Sequence, residues 1–283
     1  MIEQSNKTVS FRPTVAASLH RRTGIHDRRK ITISLLLTSL LILTGYTLTT
    51  LAPAHFRWGA AVASFVDNVR VMMISPSLGN DTWSQLMAAM GETVGLAILT
   101  TLIGAGGGFV MALLSADNLA PKAVASVVKA ILAWIRAVPT ILWVLIYSVS
   151  LGLGPNAAVI GISFHSVAYL GKVYANSLEA IPAASIEALK ASGAGLFPIL
   201  CQAVLPVAAA RLLSWTFIRF EINFAYAVVV GAAAGAGGIG YQLFTASNFY
   251  FDFHEVGLLI YLILGFAIIA ELVAVKLRAK FMD

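Results

Sequence analysis

Six stretches, near residues 31–51, 91–115, 131–152, 155–176, 207–232 and 256–275, run almost unbroken through apolar side chains. Each approaches or exceeds the roughly 20 residues with which a helix crosses a hydrocarbon core of about 30 Å. Inside a bilayer each backbone N–H and C=O must be satisfied within the segment or by a closed sheet, so such runs fold as helices and several of them form a bundle. Composition agrees. Of 283 residues, 59% are hydrophobic and 11% charged, against about 25% charged in an ordinary soluble domain. A soluble fold of this size has nowhere to put that apolar surface, and the chain is expected to be an all-α, polytopic membrane helix bundle of about six transmembrane helices.

Cytoplasmic flanks of membrane helices are enriched in Lys and Arg. The N-terminal stretch carries Lys7, Arg12, Arg21, Arg22, Arg28, Arg29 and Lys30, later loops carry Lys122 and Lys190, and the C-terminus carries Lys276, Arg278 and Lys280. The segment from Gly231 to Glu255 has neither residue type. Both termini are therefore expected in the cytoplasm. The chain divides into a basic tail (1–30), a first span with an outer segment (31–87) and a main body (88–283). In the outer segment Val62, Phe65, Val66, Val69 and Met72 recur at helical spacing around Asp67, Asn68 and Arg70, which reads as an amphipathic helix lying on the outer membrane face, serving in a gate or merely filling space. Ala52-Pro53-Ala54 imitates a signal-peptide cleavage site, but the apolar run before it is longer than the usual 7 to 15 residues and a retained anchor fits better. The lone Cys201 excludes a disulfide framework and Cys-rich metal sites, no metal-ligand constellation is visible, and the formal charge of +6 lies in short membrane flanks, the pattern of membrane topology and not of nucleic-acid binding.

The most informative loop spans 183–206. Its residues Ser185 to Ser192 have helix-forming composition, Ser185 is placed to cap a helix, Gly193 to end it in a left-handed conformation, and Pro206 to open the next span. Glu187-Ala188-Leu189-Lys190-Ala191-Ser192-Gly193, followed after a spacer by Leu205-Pro206, resembles the EAA loop of permease subunits of ABC importers; Leu189 stands where the second alanine usually does. Arg136-Ala137-Val138-Pro139-Thr140, Gly152-Leu153-Gly154-Pro155, Phe164-His165-Ser166 and Arg219-Phe220-Glu221-Ile222-Asn223 leading to Gly235-Ala236-Gly237-Gly238-Ile239-Gly240 are similar to phosphonate-type permeases, over about residues 88 to 280. Ala225 departs from that pattern, where an Arg often stands, and leaves the anion open between phosphonate, phosphite, hypophosphite and phosphate ester.

The resemblance implies a type I importer permease fold in a bacterial inner membrane. It also implies a second copy of the chain, two cytoplasmic ATP-binding subunits that grip the loop near Glu187 and use ATP and magnesium, and a periplasmic substrate-binding protein. The chain itself lacks the G-x-x-x-x-G-K-[ST] phosphate loop, and neither H-E-x-x-H nor G-x-S-x-G occurs, so it is expected to be a translocation subunit and not an enzyme. A carrier coupled to ions or protons through Arg219, Glu221 and His165 is the alternative.

Ionisable residues within spans are costly, at least about 2.5–3.5 kcal/mol each at the centre, and usually face a bundle interior or an aqueous path. Counting about 1.5 Å per residue from Pro206 puts Arg219 roughly 20 Å into the membrane. Arg219 and Asn223 share a helix face, whereas Glu221 points away and needs a partner from another span. These residues either brace the bundle as an ion network or contact the transported anion. Ser163, His165 and Ser166 lie in the fourth span, and Ser163 and Ser166 could face a common path. Arg136 and Lys172 are expected to snorkel near the inner interface. Gly235, Gly237 and Gly240 satisfy a dinucleotide-binding pattern, but at the outer end of a membrane helix they are read, with Gly238, as a backbone turn at the periplasmic gate. Gly104 and Gly108 favour close helix packing.

Overall fold

The computed structural model describes residues 23–51 and 57–282. Lys7, Arg12, Arg21 and Arg22 and the Ala52-Pro53-Ala54 stretch lie outside the described residues. The chain divides into two compact units between Phe65 and Val66. In the first, helix α1 (Thr23–Leu51) is exposed at each residue from Arg29 to Thr50. Its hydroxyls turn back onto its own backbone, Thr44 to the Leu40 carbonyl at 2.8 Å and Thr47 to that of Leu43 at 2.7 Å, which satisfies them in an apolar setting. Helix α2 (Trp58–Ile74) crosses the division; it is the helix that the spacing of Val62, Phe65, Val66, Val69 and Met72 predicts.

The second unit holds α3 (Trp83–Ser115), α4 (Lys122–Ala137), α5 (Thr140–Leu151), α6 (Pro155–Glu179), α7 (Ala183–Ala191), α8 (Leu196–Ile199), α9 (Leu205–Ala234), α10 (Gly238–Thr245) and α11 (Phe253–Met282), with no strand among the described residues. A capping box starts α3: the Thr82 hydroxyl accepts the Gln85 N–H and the Gln85 amide oxygen accepts the Thr82 N–H at 2.7 Å, which satisfies donors the first helical turn leaves free. Helices α3 and α6 then run side by side, and the two expected glycines explain why. A Cβ on Gly104 would stand 2.6 Å from the Ser166 Cβ, and one on Gly108 would stand 2.8 Å from the Leu170 Cβ and 3.0 Å from the Gly171 nitrogen. Small residues let the two backbones approach closely, the usual way membrane helices gain packing energy. Helix α6 is the hub, touching α3, α4, α5 and α9.

Among the described residues four helices are long and apolar enough to cross a membrane, Arg29–Thr50, Trp83–Ser115, Leu196–Ala234 and Phe253–Lys280, and a fifth if α4 and α5 count as one bent span. The expected third span is therefore not one helix. Pro139 has no N–H to continue α4 and disfavours helical backbone at Val138, which is extended at φ −92° and ψ 126°, and the chain bends by 88° there. Trp143 bridges the break, its indole N–H donating to the Ile135 carbonyl at 2.9 Å. The expected fourth span is α6, at 25 residues long enough to cross, although its Ser, His, Asn and Lys content leaves it outside the apolar set. Of these, Ser163, His165, Ser166 and Ser177 are buried in the bundle.

Both ends of this unit are tied by charge. At one end Lys129 reaches Asp117 at 2.7 Å and Glu179 at 2.9 Å, which joins α4 to the ends of α3 and α6. At the other, fully buried Glu255 accepts the Asn80 N–H at 3.2 Å and the Asp81 N–H at 3.0 Å, while Tyr261 donates to the Met73 carbonyl at 2.8 Å. The segment before α3 is thereby stapled to the start of α11. Burial, with Glu255 nearby, pushes the Asp81 carboxyl above the ordinary carboxylate range.

Candidate functional site

Midway along α9, 14 residues after its first, Arg219 lies about 20 Å along the helix axis and is 1% exposed. A guanidinium only donates hydrogen bonds. Its Nε donates to the Ser166 hydroxyl at 3.0 Å and its Nη2 to His165 Nδ1 at 3.2 Å, so the imidazole proton sits on Nε2. The Ser166 hydroxyl also lies 2.7 Å from the Ile162 carbonyl and 3.1 Å from the Asn223 amide oxygen, and the Asn223 amide nitrogen donates to Thr101 at 3.0 Å. The Arg219 guanidinium carbon stands 5.0 Å from the Tyr169 ring centre and 5.7 Å from that of Tyr226, within the range of cation–π attraction. Among the described residues no carboxylate lies within salt-bridge distance of Arg219. The cluster thus carries a net positive charge held by neutral dipoles and π faces.

The sequence places Arg219 and Asn223 on one face, and the structure joins them through Ser166. It turns Glu221 the other way, against Glu271 of α11 with Arg278 nearby; Arg278 itself pairs with Glu271 at 3.2 Å. Ser163 does not join the Ser166 cluster. It is 6% exposed, its hydroxyl has no hydrogen-bond partner among the described residues, and it borders a cavity of about 280 Å³ with Ile103, Phe164 and Val167. Arg136 ends α4 at the bend, its Nε bonded to the Leu132 carbonyl at 3.1 Å, and Lys172 is half-buried on α6. Thr101, Tyr169 and Tyr226 are absent from the sequence-based expectation. A threonine or tyrosine in a membrane helix carries no local signal of a partner on another helix.

The loop after α6 has the opposite character. In α7 only Ile186 is buried, at 2%, whereas Ser185, Glu187, Ala188, Lys190 and Ala191 are exposed. Ser185 does not cap the helix. Pro182 occupies the N-cap position with no side-chain bond, and α7 begins at Ala183, three residues earlier than a Ser185 cap would start it, because proline's fixed φ, here −56°, already suits a helix start. Gly193 does end it, at φ +83°. The Gly193 N–H donates to the Lys190 carbonyl and the Ala194 N–H to that of Leu189, both at 3.0 Å, a Schellman motif; Leu189 and Ala194 pack against one apolar cluster beneath it. The return is a π-helical turn, Leu200–Val204, that merges into α9 with Pro206 in its first turn. Exposed Leu205 and Pro206 thus sit where the loop re-enters the bundle.

At the other end of α9 the glycine cluster folds α10 back. Gly235, Gly237 and Gly238 all have left-handed φ, at +62°, +80° and +70°, which glycine adopts without penalty. Gly240 has no side chain because one would meet the Val228 carbonyl. The turn is held to α3 by two side chains in succession: Glu92 accepts the Gly238 N–H at 3.0 Å and Thr93 the Ile239 N–H at 2.9 Å. Neither was singled out from the sequence, since their partners lie 146 positions away.

Comparison with known proteins fits this arrangement. Residues 104–279 match the family described as binding-protein-dependent transport system inner membrane component. A phosphite transport system permease protein of Stutzerimonas stutzeri is 30% identical over 191 residues, covering 67% of this chain and 69% of that protein. A phosphate-import permease protein of Mycolicibacterium smegmatis is 34% identical over 172 residues; this chain spans 32% of its length. Among solved structures, the permease fold is shared with the inward-facing MetNI methionine ABC transporter, at a TM-score of 0.64 and 20% identity over 72% of this chain and 99% of that one. It is shared also with a bacterial ABC transporter involved in import of the acidic polysaccharide alginate, at a TM-score of 0.60 and 14% identity over 91% of this chain. The chain belongs to the inner-membrane components of binding-protein-dependent transport systems, as a multi-pass membrane protein.

Proposed function

We propose that this chain forms the translocation path of an ATP-driven importer for a phosphorus oxyanion, whether phosphonate, phosphite, hypophosphite or phosphate ester. The observation that carries the reading is Arg219, a guanidinium 1% exposed in the middle of the bundle and partnered only by neutral groups. A buried charge without a counter-ion is expensive to maintain. A path that must accept an anion and then release it gains from such a charge, because a permanent carboxylate partner would compete with the cargo. Relatives named for phosphite and phosphate import support the substrate class.

The energy comes from partner subunits that bind ATP and magnesium. The surface offered to them is α7 with the Gly193 turn, where Glu187, Ala188, Lys190 and Ala191 face outward on a helix anchored by Ile186. Two copies of the chain, two ATPase subunits and a periplasmic binding protein complete the complex. Closure of the ATPase pair draws the two loops together and switches the bundle between inward- and outward-open packing, a change between two discrete states. The π-helical turn and Pro206 link the loop to α9, so a displacement of α7 reaches the helix that carries Arg219.

The test is uptake into proteoliposomes holding the purified complex. ATP-dependent accumulation of radiolabelled phosphite or a phosphonate that survives dissipation of the proton gradient supports the reading. Uptake that needs the gradient and proceeds without the ATPase subunits selects a proton-coupled carrier instead.

A further inference from the structure

Nine residues into α3, about 13 Å along its axis, Glu92 exposes a carboxylate beside Leu96 and Leu99. A carboxylate on a membrane-spanning helix belongs against water-filled space or a polar partner and not against lipid. Here it has both. A cavity of about 500 Å³ opens beside it, lined also by Leu96, Leu99, Pro155, Ala227 and Gly237, and the carboxylate accepts the Gly238 N–H. That N–H opens α10, whose first turn carries partial positive charge. A side chain on Gly237 would come 3.2 Å from the same carboxylate oxygen, tight enough that Glu92 would have to shift to keep its bond.

The neighbouring bond differs. Thr93 is 2% exposed, and Ile239, whose N–H it accepts, is fully buried in the apolar cluster under the turn. Breaking that contact disturbs the core, whereas breaking the Glu92 bond returns a carboxylate to an open cavity. We infer that Glu92 is the latch of the outer mouth of the path: it holds the glycine turn 235–238 against α3, its release lets the turn swing outward, and Thr93 is the fixed pin about which the turn moves. The inference rests on the chain being a transport subunit, and it adds a positioning residue to that reading.

The test needs neither nucleotide nor the ATPase. In full-length protein in right-side-out membrane vesicles, Cys201→Ser removes the native thiol and Ala236→Cys, a cavity-lining position that is 8% exposed, supplies a reporter for a membrane-impermeant maleimide. Glu92→Ala is expected to label about tenfold faster than the parent, the factor set by losing one hydrogen bond to a charged group. Glu92→Gln keeps an acceptor oxygen and is expected to fall between them. Labelling of Glu92→Ala at the parental rate overturns the latch. If Glu92→Ala does not reach the membrane, Glu92→Gln carries the test, with an acceleration of about threefold supporting the latch and a parental rate overturning it. Absence of ATP-driven uptake would overturn the transport reading and leave the labelling result standing.

Discussion

The centre of α9 and the loop that leads into it treat polar residues in opposite ways. Around Arg219 the side chains of α3, α6 and α9 converge until a guanidinium, an amide and two hydroxyls are buried with one another. Around Glu187 the chain buries one isoleucine and leaves the polar residues outside. The centre holds a charge away from water and lipid; the loop leaves its polar residues exposed, as the proposed contact with an ATPase subunit requires. The chain runs from the loop through α8 and the π-helical turn directly into α9, so a force on the loop reaches the helix that holds the charge.

The largest effect that would break this contrast is at Gly193. Proline there is incompatible with φ +83° and removes the N–H that donates to Lys190. Gly193→Pro is expected to insert normally and to lose co-purifying ATPase by at least about tenfold; undiminished co-purification would mean that the turn is not the grip. A smaller effect is expected where the scaffold, not the loop, is altered. Gly108→Ala would press a methyl against the Leu170 Cβ and the Gly171 backbone, at a cost of about 1–3 kcal/mol, read as a lower melting temperature in detergent with the ATPase still bound.

Those two glycines show what was legible. A glycine ending a short helix, or spaced four from another in an apolar helix, has a local physical reason that survives folding, and both were anticipated. The face shared by Arg219 and Asn223, and the opposite aim of Glu221, followed from helix geometry alone. The 88° bend at Val138-Pro139 was written in the sequence but masked by apolar residues on both sides. Thr101, Tyr169, Glu92 and Thr93 were illegible because each finds its partner across the bundle, and no local spacing encodes a contact between distant helices. Ser185 failed for a different reason: a good capping residue lost its place to a proline three positions earlier.

That correction gives a sharper test of the loop. If Ser185 capped α7, Ser185→Ala would cost about 1 kcal/mol; with Pro182 in the cap position the expected change in melting temperature and ATPase binding is nil. The smallest effect concerns the outer clasp. Asp81 has its folded-state pKa raised by burial, with Glu255 adding to it, so its protonated form is favoured by folding. The stability this gives is present at acid pH and is lost as pH rises through the raised value. Asp81→Asn is expected to stabilise the protein slightly at neutral pH, the effect being damped by solvent screening, and to flatten the loss of stability on going from acid to neutral pH. Thermal unfolding at several pH values measures both.

If the unpaired charge of Arg219 serves the anion and not the assembly of the bundle, removing it spares the complex and abolishes transport. ATP-driven uptake of radiolabelled phosphite or a phosphonate, measured with the purified complex of Arg219→Ala beside the parent, tests it most directly. The variant complex is expected to assemble and bind its ATPase subunits yet to accumulate no anion above background. Parental uptake by Arg219→Ala would contradict it.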